Sequence, residues 1–539
     1  MTSWDIVVVG AGHNGLLTAA YAARAGFKVL VIEGANRIGG DTTSEELTLP
    51  GFIHDPCATA HNLIQSNPLM RDNELQLDRY GLRYLYPEPV FTMPFRDGRS
   101  ITMWRDLDRT CAELSRFSDA DARAYRRLLK DWQGLAPIIN DEREHAPRPP
   151  SEVLARTQAG PLGELGVRIR QARALDIITE RFQEEHVRAF FAWIAFMTLH
   201  PLDEPESGTL ALSLVGGRQR FSWILPEGGS IRLPLALARI IEENGGTLLT
   251  SKPVTRIVVE DGRATGVITA DGSTYRASKA VVSSTHIRHL PEIVGEANLG
   301  PAYSAGIARW KPSITMFAAH YALSEAPRFK TEAGPMESVT MGGLESIASL
   351  ARMLEAFRAG RLDLDDPVVL ALTPTVMDPS RAPAGKHTFK LISFLPYELV
   401  EGPQHWNDVK DEVADRLFES VAALTTNLSP AIVLGSAISS PLDLELRNPA
   451  NWRGSCHGGA STPDQTGWFR PVEGWSSYRT PVSGLYQTGA CTHPGGSVSG
   501  LPGRNCAVVL LADLGSTSFP PSLAGKRQGG SLVSEGAAG

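Results

Sequence analysis

The chain has 539 residues, a formal net charge of -7, and 42% hydrophobic and 21% charged residues, which implies about two to four structural units rather than one core. The acidic balance gives no reason to expect a nucleic-acid partner, whose phosphates call for a basic face. Five cysteines with no CxxC pair among them, namely Cys57, Cys111, Cys456, Cys491 and Cys506, speak against a disulfide scaffold, a thiolate zinc site or a closely spaced redox disulfide.

Trp4 to Val9 is a nearly continuous apolar run, as expected of a parallel strand buried on both faces. Asp5 and the glycines that follow argue against a secretory leader, and no run approaches the ~18 apolar residues of a membrane span. The default expectation is a soluble, cytoplasmic protein. Asn14 to Ala25 reads as a helix and Val29 to Ile32 as a second buried strand, giving a βαβ unit. Between the first strand and the helix lies Gly10-Ala11-Gly12-His13-Asn14-Gly15, a GxGxxG turn, and Glu33 follows the second strand. Gly10 permits the tight turn, Gly12 lets backbone approach a pyrophosphate, and Gly15 lets the helix pack on the strand. The helix N-terminus supplies free N–H groups to phosphates. Glu33 is placed to accept hydrogen bonds from a ribose, and an acid there disfavours a 2′-phosphate. Arg37-Ile38-Gly39-Gly40 then offers a second glycine turn and a guanidinium that can reach the pyrophosphate.

From Tyr84 to Trp104 short apolar segments broken by prolines and Asp97-Gly98 read as antiparallel strands. Ser118 with Asp121 resembles a capping box opening a helix toward Leu135. Glu142 to Pro150 reads as a loop, and residues 151–220 as mainly helical. Ala189 to Leu199, aromatic on all sides, reads either as helix core or as a tunnel wall or shallow membrane-facing patch. Ile231 to Asn244 is a helix, followed by strands at 247–250, 254–260, 264–270, 273–276 and 280–283. A second antiparallel block spans 315–321, 368–373, 388–394 and 432–439, with an amphipathic helix from Val409 to Leu428. Leu485 to Gly489 is a strand and Pro502 to Leu514 a helix. Residues 516–539, rich in Ser, Gly and Pro, are expected to be disordered.

Several of these stretches resemble the phytoene-desaturase-like branch of the amine oxidase superfamily, nearest its carotene ketolase and phytoene dehydrogenase-like members. Arg37-Ile38-Gly39-Gly40, Pro226-Glu227-Gly228-Gly229 and Lys252-Pro253-Val254-Thr255-Arg256-Ile257 carry part of the resemblance. The most specific segment runs from Leu485 to Asn505, with Thr492-His493-Pro494-Gly495-Gly496 and Ser499-Gly500-Leu501-Pro502-Gly503-Arg504-Asn505. Asp41 departs from the small or basic residue usual after Gly40. The resemblance implies an α/β fold, with a Rossmann-type FAD-binding domain and a substrate domain of mixed sheet and helices. It implies that FAD meets Gly10, Gly12, His13, Asn14 and Gly15, then Glu33, Gly34, Arg37, Gly39 and Gly40. The Val254 backbone would clasp the adenine, and Gly489, Gly496, Ser497 and Val498 would lie against the flavin. The expected division is a discontinuous FAD-binding unit of 1–80, 221–290 and 440–515. The substrate unit takes 81–220 and 291–439, with a helical insertion at about 106–220.

The implied activity is dehydrogenation, desaturation or oxidation, with a hydride passing from a C–H bond of a lipophilic or aromatic small molecule to flavin N5. A ketolase or polyene isomerase, an amine oxidase and a non-catalytic flavin-bound protein stand as alternatives. Oxygen, a quinone or another acceptor stays open. His61 and His493 are the candidate catalytic residues, each a base or a hydrogen-bond partner of the ring or backbone. His286 and His289 are expected to act in capping or at the surface, and no metal site is expected.

Overall fold

The computed structural model describes residues 3–516. Except for Ser516, the expected disordered tail lies outside the described residues. Two seven-stranded sheets organise the chain. In the first, the order is Val254–Glu260, Arg263–Thr269, Thr274–Ser283, Trp4–Val9, Val29–Ile32 and Thr247–Leu249, and Leu485–Gln487 pairs with Thr274–Ser283 off this path. Trp4–Val9 runs parallel to both of its neighbours, and Leu485–Gln487 runs parallel to residues 281–283.

The apolar run at the start of the chain is buried on both sides of this sheet, as its composition requires. Ile6 and Val8 pack with Leu16, Leu17, Leu237 and Leu510 from the helices His13–Arg24, Arg232–Glu243 and Leu501–Asp513. Val7 and Val9 face the other way, onto Leu290, Tyr303 and Trp310. Residues 273–276 and 280–283 form one strand rather than two. Thr274 to Arg276 pair antiparallel with 266–268, and from Ala277 onward the same strand pairs parallel with Trp4–Val9.

The second sheet has the order Val433–Ser439, Phe317–Leu323, His387–Ser393, Val369–Leu372, Thr340–Gly343, Phe91–Pro94, Ser100–Met103. Its pairings are antiparallel except that between Thr340–Gly343 and Phe91–Pro94. Phe317, Ala319, Tyr321, Phe389 and Leu391 alternate onto one face, under Val413, Leu417 and Val421 of the helix Trp406–Ala422. That helix stops before Leu424 and Leu428. Thr425 Oγ1 donates to Ala422 O at 2.9 Å, a local side-chain bond that closes the last turn.

One further expectation is corrected. The helix opened by Ser118, whose Oγ accepts from Asp121 N at 3.2 Å, runs through Pro137 to Glu144, so the loop begins at His145. Its charged end is held by partners: Arg170 to Glu142 at 3.0 Å and Arg156 to Asp141 at 2.7 Å. Of the readings open for Ala189 to Leu199, the helix Glu185–Phe196 takes that of helix core. Phe190, Phe191, Trp193 and Phe196 are all 0% exposed, and Trp193 Nε1 donates to Val369 O at 2.8 Å. Its ring covers the sheet at Gly342, where a Cβ would lie 2.8 Å from the indole. Among the described residues no helix is long and apolar enough to cross a membrane.

Candidate functional site

The first strand delivers the chain to Gly12, the N-cap of the helix His13–Arg24, with φ -65 and ψ 161 and no side-chain cap. The first-turn N–H groups therefore have no side-chain acceptor at the positive end of the helix. A Cβ on Gly12 would meet no atom within 4 Å, so open space lies over this turn. Gly15 is the opposite case, since a Cβ there would lie 2.3 Å from Gly10 O. The second glycine turn abuts the first. Gly39 N donates to Ala11 O at 2.8 Å, Gly12 and Gly39 form a parallel bridge, and a Cβ on Gly40 would lie 3.3 Å from Gly12 Cα.

Glu33 closes the side of this cradle. Its carboxylate accepts from Ala11 N at 2.6 Å and from Ala35 N at 2.8 Å. Gly34 packs on Pro253, and Lys252 N donates to Glu33 O at 2.9 Å, which brings Val254 to the same edge. Arg37, half-exposed, pairs with Glu45 at 3.0 Å. Asp41, the departure noted in the sequence, accepts from Asn448 Nδ2 at 2.8 Å and Asn451 Nδ2 at 2.9 Å, and burial raises its carboxyl above the ordinary range. His13 Nδ1 meets Thr42 Oγ1 at 2.9 Å, while its buried Nε2 has no hydrogen-bond partner. Open space at Gly12, uncapped N–H groups, a carboxylate and an unpartnered imidazole nitrogen fit the ADP half of a dinucleotide.

The C-terminal motif arrives at the same place. Thr488 N donates to Ser283 O at 2.8 Å, and a Cβ on Gly489 would lie 3.3 Å from Ser284 O. Ser284 Oγ in turn donates to Val9 O at 2.9 Å. Gly503 N donates to Asn14 Oδ1 at 3.2 Å, and Thr18 Oγ1 donates to Gly503 O at 2.9 Å. The close approach leaves no room for a side chain, because a Cβ at Gly503 would lie 2.3 Å from Asn14 O. Gly496 packs on the His457 backbone, Ser497 has φ 73, and Val498 is buried in the core that contains Leu17.

His61 is fully buried, with Nδ1 3.1 Å from Tyr84 Oη and Nε2 3.0 Å from Ser230 Oγ. It thus ties the 57–61 segment to the turn that follows Pro226-Glu227-Gly228-Gly229. His493 Nε2 donates to Glu142 O at 2.9 Å, and its buried Nδ1 has no partner. Burial pushes His61 down to about 3 and His493 to about 4. Both are therefore neutral in the folded protein at pH values where the unfolded chain, near 6.5, takes up protons. Stability is full above pH 6.5 and falls as pH drops toward 4, by about 1.4 kcal/mol per pH unit for each such histidine. Urea midpoints across pH 7.5 to 5 check this, and His61→Asn must flatten the slope. A midpoint flat across that range contradicts neutral burial.

His286 Nδ1 accepts from Arg288 N at 3.2 Å, a capping role, and His289 Nε2 meets Pro449 O at 2.9 Å. Among the described residues no three His, Cys, Asp or Glu are placed to hold a metal ion. The sequence reading missed Lys390, which is buried, with Nζ donating to Cys57 O at 2.6 Å and Asp55 O at 2.9 Å. Burial lowers its ammonium to about 8. It also missed the fully buried pair Arg381–Asp55, 2.6 Å apart. The available signal was a lysine inside the apolar strand Thr388 to Phe394. These groups fix the segment that leads to His61.

The sequence profile described as flavin containing amine oxidoreductase matches residues 15–503. The chain belongs to that family. It is 29% identical over 534 residues to one of the limonene dehydrogenase polypeptides of Castellaniella defragrans, covering 95% of each chain. It is 24% identical over 541 residues to a lycopene-forming phytoene desaturase of a Paracoccus species, covering 95% of this chain and 98% of that one. Its fold is that of cyclohexylamine oxidase from Brevibacterium oxydans, with TM-score 0.58, 16% identity and coverage of 95% and 100%. The protein is an FAD-dependent oxidoreductase of phytoene-desaturase-like type, and its α/β fold with mixed sheets and many helices is the one the sequence implied.

Proposed function

We propose that this flavoenzyme dehydrogenates a lipophilic or aromatic small molecule, taking a hydride from a C–H bond. The observation that carries the reading is the meeting of the Gly12–Gly39–Glu33 cradle with the Gly489–Asn505 segment at the N-terminus of the helix His13–Arg24. The two sheets divide the work. The first sheet and the segments around it hold the cofactor, through Gly10, Gly12, His13, Asn14, Gly15, Glu33 and Gly34, the turn at Arg37, Gly39 and Gly40, Val254, and the run from Gly489 to Val498. The second sheet and the helices from 107 to 221 hold the substrate. When bound, FAD supplies the two-electron acceptor.

The chain's own residues orient and exclude water. His61, with both nitrogens engaged, fixes the 57–61 segment against Ser230. His493 carries its proton on Nε2, because a carbonyl oxygen accepts there, and so offers Nδ1 as a hydrogen-bond acceptor. Limonene and phytoene, in the names of two relatives, are hydrocarbons, which supports an apolar C–H substrate.

The test is anaerobic mixing of the yellow protein with monoterpene, carotenoid, aromatic and amine compounds while the visible flavin band is followed. Bleaching by a hydrocarbon or aromatic compound is expected. Bleaching by amines alone would move the chain to amine oxidation, and substrate turnover with no net use of an acceptor would make it an isomerase.

A further inference from the structure

Two of the five cysteines meet in the fold although they lie far apart in the chain. The sulfurs of Cys57 and Cys456 share a hydrogen bond. Backbone and side-chain contacts on both sides bring their segments together. Ala58 N donates to Asp41 O at 3.1 Å, and Asp41 Oδ1 accepts from Asn448 and Asn451, just ahead of Cys456. Beyond them, Ser455 Oγ accepts from Ser313 N at 3.0 Å and from Gly459 N at 3.1 Å, which pins the turn that carries Cys456. Cys57 is buried in a core cluster, and Cys456 packs against that cluster from a half-buried position.

The surroundings suit thiol chemistry. The Asp41 carboxylate also hydrogen-bonds Cys57, so an acceptor for the thiol proton stands in place. Lys390 Nζ donates to Cys57 O at 2.6 Å, which holds a cation beside the sulfur and favours a thiolate. The bond to Cys456, burial and the Asp41 charge outweigh that cation and push the Cys57 thiol well above the usual range. Cys57 therefore rests as a thiol. We propose that Cys57 and Cys456 form an oxidation-sensitive dithiol, which hydrogen peroxide converts to a disulfide. Cys456, the more exposed sulfur, attacks the peroxide, becomes a sulfenic acid, and releases a water. Cys57 then attacks that sulfur and the S–S bond forms. The Cys57 proton passes through Asp41 to the departing hydroxide, which leaves as a second water. The two thiols lose two electrons, and the peroxide is reduced to water. His457, the residue after Cys456, packs on Gly496. The bridge thus ties the segment that leads to His61 to the backbone on which the C-terminal glycine loop rests.

The reduced holoenzyme, freed of reductant, is treated with an equimolar amount of hydrogen peroxide, then denatured and alkylated. Two of the five thiols are expected to escape alkylation, and peptide mapping without reductant is expected to find Cys57 linked to Cys456. Dithiothreitol restores all five. Cys57→Ser stops at the sulfenic acid of Cys456, which dimedone traps, and Cys456→Ser forms no bridge. Asp41→Asn slows bridge formation by about tenfold or more, the loss expected of a missing proton acceptor, while the sulfenic acid forms at an unchanged rate. A packing defect alone would not separate the two steps. The mapping of the unaltered chain decides the matter even where a variant does not fold. All five thiols alkylated after excess peroxide, or a bridge to any other cysteine, overturns the proposal. Bridging at full rate in Asp41→Asn overturns the proton route.

Discussion

Gly12→Val is expected to give a folded protein that purifies colourless and binds added FAD at least about a hundredfold more weakly than the unaltered chain. Gly12 has φ -65 and ψ 161, an extended conformation that valine adopts without strain, and no protein atom lies within 4 Å of a Cβ built there. The fold therefore tolerates the side chain, which fills the space over the helix N-terminus instead. Adding Glu33→Ala removes a charged acceptor whose hydrogen bonds are worth about 1.5–3 kcal/mol each, and it frees the Ala11 and Ala35 N–H groups. The checks are the visible absorbance of the purified protein, a flavin titration, and a circular-dichroism spectrum matching the unaltered chain. Normal flavin retention in the double variant would remove the cradle from the cofactor site.

The largest effect on stability is expected from Arg504→Met. Arg504 and Glu74 are buried, with Nε and Nη2 each 2.8 Å from a Glu74 carboxylate oxygen. Tyr21 Oη donates to the same carboxylate at 2.5 Å, and Arg504 Nη1 to Glu144 O at 3.4 Å. Removing the guanidinium leaves a buried carboxylate without its counter-charge, at a cost of about 3–5 kcal/mol. Arg504→Met with Glu74→Leu should recover most of that loss, because a buried ion pair replaced whole by apolar groups is often neutral. Recovery stays incomplete until Tyr21→Phe is added, since the Tyr21 hydroxyl otherwise lacks its acceptor. Guanidinium denaturation of the four proteins measures this. A single variant within about 1 kcal/mol of the parent would mean that the pair is not buried in solution.

The cofactor side of this fold was legible in the sequence because its signals are local. The strand, the glycine turn from Gly10 to Gly15 and Glu33 fall within one βαβ unit. The segment from Leu485 to Asn505 carries its glycines and Pro502 in a single run. Most of the second sheet's strands were legible as short apolar runs between turns, with ends shifted by a residue or two, but Thr340–Gly343, half glycine, was not.

Residues whose setting is made by distant partners were not legible. The charged stretch Glu142 to Glu144 read as the start of a loop, yet Arg170 and Arg71 hold it in a helix. His61 and His493 could be singled out, but not their partners Tyr84, Ser230 and Glu142, which the fold alone supplies.

The bond between Asn14 and Gly503 joins residues 489 positions apart. Part of the apolar flank of the first strand and helix is covered only by Leu485–Gln487 and Leu501–Asp513, far along the chain. Closing so long a loop is slow, and the exposed flank is prone to aggregation meanwhile. The proposed cofactor cradle is therefore complete only once these distant segments have joined, and flavin capture waits on that closure.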